Sequence, residues 1–286
     1  MKRPFMVIKR PLGTMITYGF VPGGLTVDLA IAARLGATVV EILPDWRSFP
    51  DPTILRTELA DSGFLIHSAH GCWGEQSIKE ARVDLGSLDP RIHSASIDEI
   101  KRCVEWLNEA GGTHLVIHPG GLSDPEDQEA RHHALRNALL TLADDAIASR
   151  VMLCVENMPP GVYPGSRMND LRSLVAEINQ PLAIGLALDT GHAHISSDEV
   201  QETIASRGWL RTTHVHDNDG RRDTHWPPGS GSVDWLAWVK ALDSIDYRGP
   251  IILECIRHLR RHPESLTTHL VALLKGLTVV STESRS

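Results

Sequence analysis

Val151-Met152-Leu153-Cys154-Val155-Glu156, then Asn169–Ile178, then a run ending in Leu186-Ala187-Leu188-Asp189: this stretch decides the fold. Two short apolar runs, each closed by a carboxylate, flank a segment of helical pattern. Apolar runs of roughly four to eight residues between turn signals read as buried strands, and a period of about 3.6 reads as a helix. Two strands joined through a helix run parallel, with a right-handed crossover.

The same alternation continues in both directions. Upstream lie strand Met15–Phe20, helix Thr26–Leu35 stopped by Gly36, strand Thr38–Leu43 and helix Pro52–Ser62 closed by Gly63. Strand Phe64–His70, helix Ser94–Ala110, strand His114–His118 and helix Asp127–Ser149 follow. Downstream of strand Leu182–Asp189 come helix Ser197–Arg207, strand Leu210–His216, helix Val233–Ser244, strand Pro250–Glu254 and helix Glu264–Gly276. Eight strand–helix units without a low-complexity linker predict one (β/α)₈ TIM barrel over residues 1–286, with a frayed tail at Thr282–Ser286. An open doubly wound sheet would carry a glycine-rich phosphate loop after its first strand. Val21-Pro22-Gly23-Gly24 reads as an ordinary turn.

Composition narrows the partners. A formal charge of -8 argues against an open polyanion-binding surface. No apolar stretch approaches the roughly 20 residues needed to span a bilayer, and Met1-Lys2-Arg3-Pro4 does not open a signal peptide. Cys72, Cys103, Cys154 and Cys255 are widely spaced, as expected of reduced thiols in a cytoplasmic protein. Cys72 follows His70 closely and reads as a small packing residue in a loop, with approach to a site as the alternative.

The chemistry gathers at strand ends, where a barrel builds its active site. Buried carboxylates and imidazoles are costly unless a partner or metal pairs them. His70 closes the third strand, and His118-Pro119-Gly120-Gly121 leaves an imidazole at the rim after the fourth. Glu156-Asn157-Met158-Pro159-Pro160 does the same for a carboxylate, and Asp189-Thr190-Gly191-His192 offers two ligands from one turn. In His214-Val215-His216 the second imidazole reaches the rim and the first lies one layer deeper, so His216 reads as a ligand and His214 as an interior group. Asp223 and His225 are spaced to converge on one ion. Asp217 and Asp219 read as turn formers, and His67 as facing the other side of its strand from His70.

This ordered series resembles the xylose isomerase-like barrel superfamily, which holds sugar and sugar-phosphate isomerases and epimerases and also endonuclease IV. The likeness runs from Val39-Val40-Glu41-Ile42 to Leu253-Glu254. The epimerase branch implies one divalent ion on Glu156, Asp189, His216 and Glu254, with Glu156 and Glu254 also moving the proton. The endonuclease IV branch implies a three-zinc cluster on His70, His118, Glu156, Asp189, His192, His216, Asp223, His225 and Glu254. Arg222 resembles an epimerase arginine near substrate oxygens, and Trp226 could stack on a sugar ring.

Groove-forming loops are poor in cations: Leu43–Pro52 holds only Arg47, and Cys72–Leu88 holds Lys79 and Arg82. A nuclease of duplex DNA needs more. The sequence therefore favours a metal-dependent isomerase or epimerase of a small sugar or sugar phosphate, using one to three divalent ions, zinc or manganese first. A trinuclear phosphodiesterase is the alternative, and a silent carbohydrate-binding barrel the third. Nucleic acid is disfavoured, and a homo-oligomer is left open. Trp235 and Trp238 read as packing residues, Trp46 and Trp73 as pocket wall or packing, and His132-His133 as a solvated face. His93, His258, His262 and His269 show no partner pattern.

Overall fold

The structure, a computed structural model, describes residues 5–7, 9–79, 82–196, 198–276 and 278–280. In chain order, β1 is Phe5–Val7, β2 Leu12–Tyr18, α1 Gly24–Leu35, β3 Val39–Pro44, α2 Pro52–Ala60, β4 Leu65–His70 and α3 Pro90–Ala110. Next come β5 His114–Ile117, α4 Gln128–Ser149, β6 Met152–Glu156, α5 Met168–Ile178, β7 Ile184–Asp189, α6 Thr190–Ser196 and α7 Glu199–Ala205. β8 Leu210–Val215, α8 Trp235–Ser244, β9 Ile251–Leu253, α9 Ile256–Arg261, α10 Thr268–Leu274 and β10 Thr278–Val280 complete the series.

β2 to β9 pair in sequence order, all parallel, and β9 closes on β2 through Leu12↔Ile251 and Thr14↔Leu253. This is the expected (β/α)₈ TIM barrel. The antiparallel pair β1–β10 is an addition that the apolar pattern did not announce.

Local chemistry sets the helix ends. Gly36 and Gly111 terminate α1 and α3 at φ 64 and 90, a backbone region that glycine enters without steric cost. The Asp51 carboxylate accepts from Thr53 N and Ile54 N, with Pro52 at the first helical position. Asp89-Pro90 repeats the device, so α3 begins at Pro90 rather than at the expected Ser94. The helix expected over Ser197–Arg207 is α7, capped by Asp198, and α6 is an additional helix directly after β7. Likewise, α10 is shorter than the expected Glu264–Gly276, and α9 stands before it. The tail Thr282–Ser286 lies outside the described residues. Among the described residues, no helix is long and apolar enough to cross a membrane.

Alternation along the strands divides two apolar regions. Ile16, Ile42, Leu115, Leu153, Val155, Leu186, Leu188 and Val215 belong to the large core shared with the helices. Val116, Cys154 and Ala187, fully buried, form a separate small cluster with Met152 inside the barrel.

Candidate metal centre

Strand parity builds the site. Two residues beyond Val116, Cys154 and Ala187 on the same inward face stand His118, Glu156 and Asp189. The same period carries His214 to His216 and Ile252 to Glu254. Every one of these strands runs the same way, so the side chains meet at one end of the barrel.

Three groups of side chains bring their ligand atoms within 4.8 Å of one another. They are His70, His118 and Glu156; His216, Asp223 and His225; and Glu156, Asp189, His214 and Glu254. Glu156 is common to the first and third. His192 joins the second from the side, with Nε2 3.3 Å from Asp223 Oδ2. All nine side chains expected as ligands are therefore brought together.

Three of the imidazoles, His70, His192 and His225, are held as metal-binding histidines usually are, with one ring nitrogen fixed by an outer partner. Nδ1–H donates to Gly71 O in His70 at 2.9 Å, to Asn157 O in His192 at 2.8 Å and to Glu254 O in His225 at 3.0 Å. Nε2 then faces inward: 3.8 Å from Glu156 Oε2 for His70 and 3.1 Å from Asp223 Oδ2 for His225. His118 Nε2 is 3.4 Å from Glu156 Oε2. His216 Nε2 is 3.0 Å from Asp189 Oδ2 and 3.6 Å from Asp223 Oδ1. His225 sits at φ 48, a conformation that costs a non-glycine residue energy and often marks a functional turn.

Two buried atoms favour a cation here. Glu156 Oε2 and His216 Nδ1 make no well-aligned hydrogen bond, although both residues are almost completely buried; Glu156 Oε2 faces only the imidazoles of His118 and His70, at 3.4 and 3.8 Å. A carboxylate oxygen so poorly satisfied is expensive in a protein interior, and a divalent ion removes that cost. The donor set of imidazole and carboxylate suits zinc, manganese or a similar ion. Backbone space is reserved as well: a Cβ on Gly191 would lie 1.9 Å from His216 Cε1. Only glycine lets the turn after Asp189 pass so close to that ring.

His214 occupies the layer beneath, as its sequence position implied. Nε2–H donates to Glu41 Oε1 at 2.6 Å and Nδ1–H to Glu156 Oε1 at 2.7 Å, with Glu254 Oε2 3.1 Å from the same nitrogen. Burial opposes its charge, but Glu41, Glu156 and Glu254 outweigh burial and raise its pKa well above the ordinary value. With both nitrogens donating, His214 is a cation wedged among three carboxylates. Glu41, fully buried, also accepts from Ser68 Oγ at 2.5 Å.

The remaining titrations follow the same contest. Burial and His118 push His70 down, leaving a neutral ring with a free lone pair. Burial works against charge in His192 and His225, yet Asp189 and Asp223 for the first, and Glu254 and Asp223 for the second, raise each to about 10. Burial likewise opposes ionisation of Glu254 and Asp223, and is overcome by His214 and His225 for the one and by His192 and His225 for the other. Protons on these histidines balance the carboxylates, and cations entering the site would displace them.

The loop after β8 is rigidly tied. Asp217 accepts from Asn218 N, Val233 N, Gly229 N and Trp235 Nε1, and Asp219 accepts from Arg221 N and Arg222 N. Asp219 makes the local turn expected of it, whereas Asp217, expected as a turn former, is a buried hub that ties residues 12 to 18 positions downstream. His194 braces the same loop between Glu199, 2.8 Å from Nδ1, and the Ser232 hydroxyl, 2.8 Å from Nε2.

Above the groups opens a cavity of about 750 Å³, within the usual range for a small ligand. Trp73 and Trp226 are in its wall. Arg222 is exposed and is not among the lining residues. Trp46 is fully buried, and its Nε1–H donates to His70 O at 3.0 Å, so it positions a ligand-bearing strand end. Cys72 packs beside Cys103, with sulfurs 3.3 Å apart, and does not line the cavity.

Sequence reading missed Glu41, Asn157 and the α9 cations. Glu41 was visible as a lone carboxylate in an apolar strand, two residues before its end. Asn157 exchanges two hydrogen bonds with the Asp189 backbone, at 2.8 and 3.0 Å, and nothing in the local pattern marks it.

The comparisons with known proteins agree with this architecture. L-ribulose 3-epimerase of Methylomonas sp. (strain DH-1) is 28% identical over 240 residues, covering 81% of this chain and 78% of that one. Probable endonuclease 4 of Mycoplasma pneumoniae is 23% identical over 220 residues, covering 72% of each. The crystal structure of a D-tagatose 3-epimerase-like protein superposes with a TM-score of 0.74 at 17% identity, over 93% of this chain and 98% of that one; it supports the fold. Residues 29–277 match the family described as xylose isomerase-like TIM barrel, and the chain belongs to that family.

Proposed function

We propose that the protein is a divalent-metal-dependent hydrolase of a phosphoester on a small, sugar-like substrate. The observation that carries this reading is the convergence of His118, Asp223 and His225 with the four groups that a single-ion epimerase needs. One ion does not require nine donors. In this reading His70, His118 and Glu156 hold one ion, and His216, Asp223 and His225, with His192 beside them, hold a second. Glu156, Asp189 and Glu254 hold a third.

Divalent ions supply Lewis acidity: they make water nucleophilic at neutral pH and offset charge on phosphate oxygens. The chain does the rest. His70 stays neutral through burial, and its Gly71 tether fixes Nε2 toward the site. Glu254 is anchored through Oε2 by His214, which leaves Oε1 to accept the proton of attacking water. His214 itself keeps Glu156 and Glu254 ionised and in place. Trp73 and Trp226 wall the cavity against bulk water and offer flat faces to a sugar ring. The cavity's size and the cation-poor loops favour a small molecule over duplex DNA.

Isomerisation by proton transfer is the second reading. It is favoured by Glu156 and Glu254, which approach the same His214 nitrogen at 2.7 and 3.1 Å and so form a carboxylate pair at the cavity floor. Metal analysis of purified protein separates the two. Two or three ions per chain, with phosphate release from sugar phosphates lost in Glu156→Gln, is the expected result. One ion per chain, together with solvent deuterium entering a sugar, would transfer the assignment to the isomerase. Incision of abasic duplex DNA as the main activity would overturn the small substrate.

A further inference from the structure

The cavity mouth carries a cationic segment that the ligand groups leave unexplained. α9 follows Glu254-Cys255 and reads Ile256-Arg257-His258-Leu259-Arg260-Arg261. Its side chains divide the work. Ile256 and Leu259 are buried and seat the helix in the core. Arg260 donates from Nε and Nη2 to the two oxygens of Asp28, each at 2.7 Å, and from Nη2 to Thr17 Oγ1. That clamp fixes α9 against α1 and β2.

Arg257 and Arg261, one helical turn apart, are both exposed and both line the cavity. Neither has a hydrogen-bonded or ionic partner among the described residues. His258 lines the same wall; burial, then His262 and Arg261, hold it below its ordinary value, a sign of positive potential there. In a chain of net charge -8, two arginines at the mouth of a cavity, free of carboxylate partners among the described residues, offer their full donor sets to an anion entering it. Their placement is informative too. β9 and β2 are neighbours in the closed ring, so α9 stands across the barrel from β5 and β6, whose ends carry His118 and Glu156.

We propose that Arg257 and Arg261 form a phosphate subsite, so that the substrate carries a terminal phosphate in addition to the group that reacts at the ligand cluster. This rests on the small-substrate reading above. The guanidinium fork matches phosphate oxygens two at a time, and charge-assisted bonds of this kind are the strong ones. Binding energy from a remote phosphate also orients the reacting end.

The test is calorimetric binding to metal-loaded protein, using fructose 6-phosphate against fructose, glycerol 3-phosphate against glycerol, and fructose 1,6-bisphosphate. Expected is roughly 10–100-fold tighter binding for at least one phosphorylated member over its neutral counterpart. That preference should shrink with added salt and vanish in the double variant Arg257→Ala/Arg261→Ala, while metal content stays unchanged. No preference in any pair, or a preference that survives the double substitution, overturns the subsite. So does a 12-mer abasic duplex whose binding, and no sugar phosphate's, depends on the two arginines. Because binding is read without turnover, a phosphate preference with no phosphate release would keep the subsite and remove only the hydrolase reading.

Discussion

At the C-terminal ends of the strands, His192 and His225 stand beside carboxylates and are raised to about 10. Toward the N-terminal ends of β4 and β5, His67 stacks on His114 with ring centroids 4.3 Å apart, and burial, then His114, lowers it to about 3. The side chains are chemically identical, and burial opposes the charge of all three. What differs is the company: Asp189, Asp223, Glu156 and Glu254 at one end, and a second imidazole at the other. Burial alone makes a histidine neutral and inert; burial beside several carboxylates makes a place where protons and metal ions compete.

The sharpest way to break the contrast is to remove the carboxylate that two ligand groups share. Glu156→Gln keeps the shape and deletes the charge. Removing one partner of a buried ion pair typically costs about 3–5 kcal/mol, or roughly 10²–10⁴-fold in affinity. Metal retention after dialysis, read by elemental analysis, should fall accordingly; undiminished loading would show that Glu156 is not shared.

The layer beneath is next. His214→Leu leaves Glu41 a fully buried carboxylate without its cation, and metal-free protein should lose on the order of 3 kcal/mol in urea unfolding. The double variant His214→Leu/Glu41→Leu should recover much of the loss, since replacing a whole buried pair by apolar groups is often nearly neutral. If both variants are equally unstable, the pair is not what matters there.

A smaller effect tests the outer support. Asn157→Ala removes two hydrogen bonds to the Asp189 backbone and leaves every ligand in place. Metal affinity should fall roughly 10–100-fold, the usual result of losing such a partner. An unchanged affinity would mean that the Thr190–His216 contacts hold Asp189 unaided.

The ends of the barrel were not equally legible in the sequence. Strand-end ligands could be read because carboxylates and imidazoles stand out after apolar runs, and because parallel strands deliver every such end to one place. The nine expected side chains converge for that reason. Glu41 stayed hidden since its meaning depends on His214, 173 residues away. α9 was lost to its length, six residues being too few for a clear helical period. Arg222 drew attention through resemblance alone, and the arginines that line the cavity are Arg257 and Arg261. His67 was expected to turn away from His70. It stacks on His114, next to an irregularity in the β3–β4 register.

That stacked pair gives the least of the expected effects and the cleanest sign. The folded value of His67, about 3, lies below its ordinary 6.5, so between these values the unfolded chain binds the extra proton. The contribution to stability is therefore complete above pH 6.5 and drains away as pH falls toward 3. At pH 5 the loss is on the order of 2 kcal/mol. His67→Leu should flatten this acid slope whatever it does to stability at pH 8. At the other end the sign reverses. In chelator-stripped protein, the raised values of His192 and His225 give stability that is full below pH 6.5 and lost as pH climbs through about 10. Unfolding curves from pH 4 to 10, with and without metal, read both ends in one experiment. Acid sensitivity unchanged by His67→Leu would mean that the pair at the barrel's foot titrates like any exposed histidine, and the contrast between the two ends would reduce to the carboxylates alone.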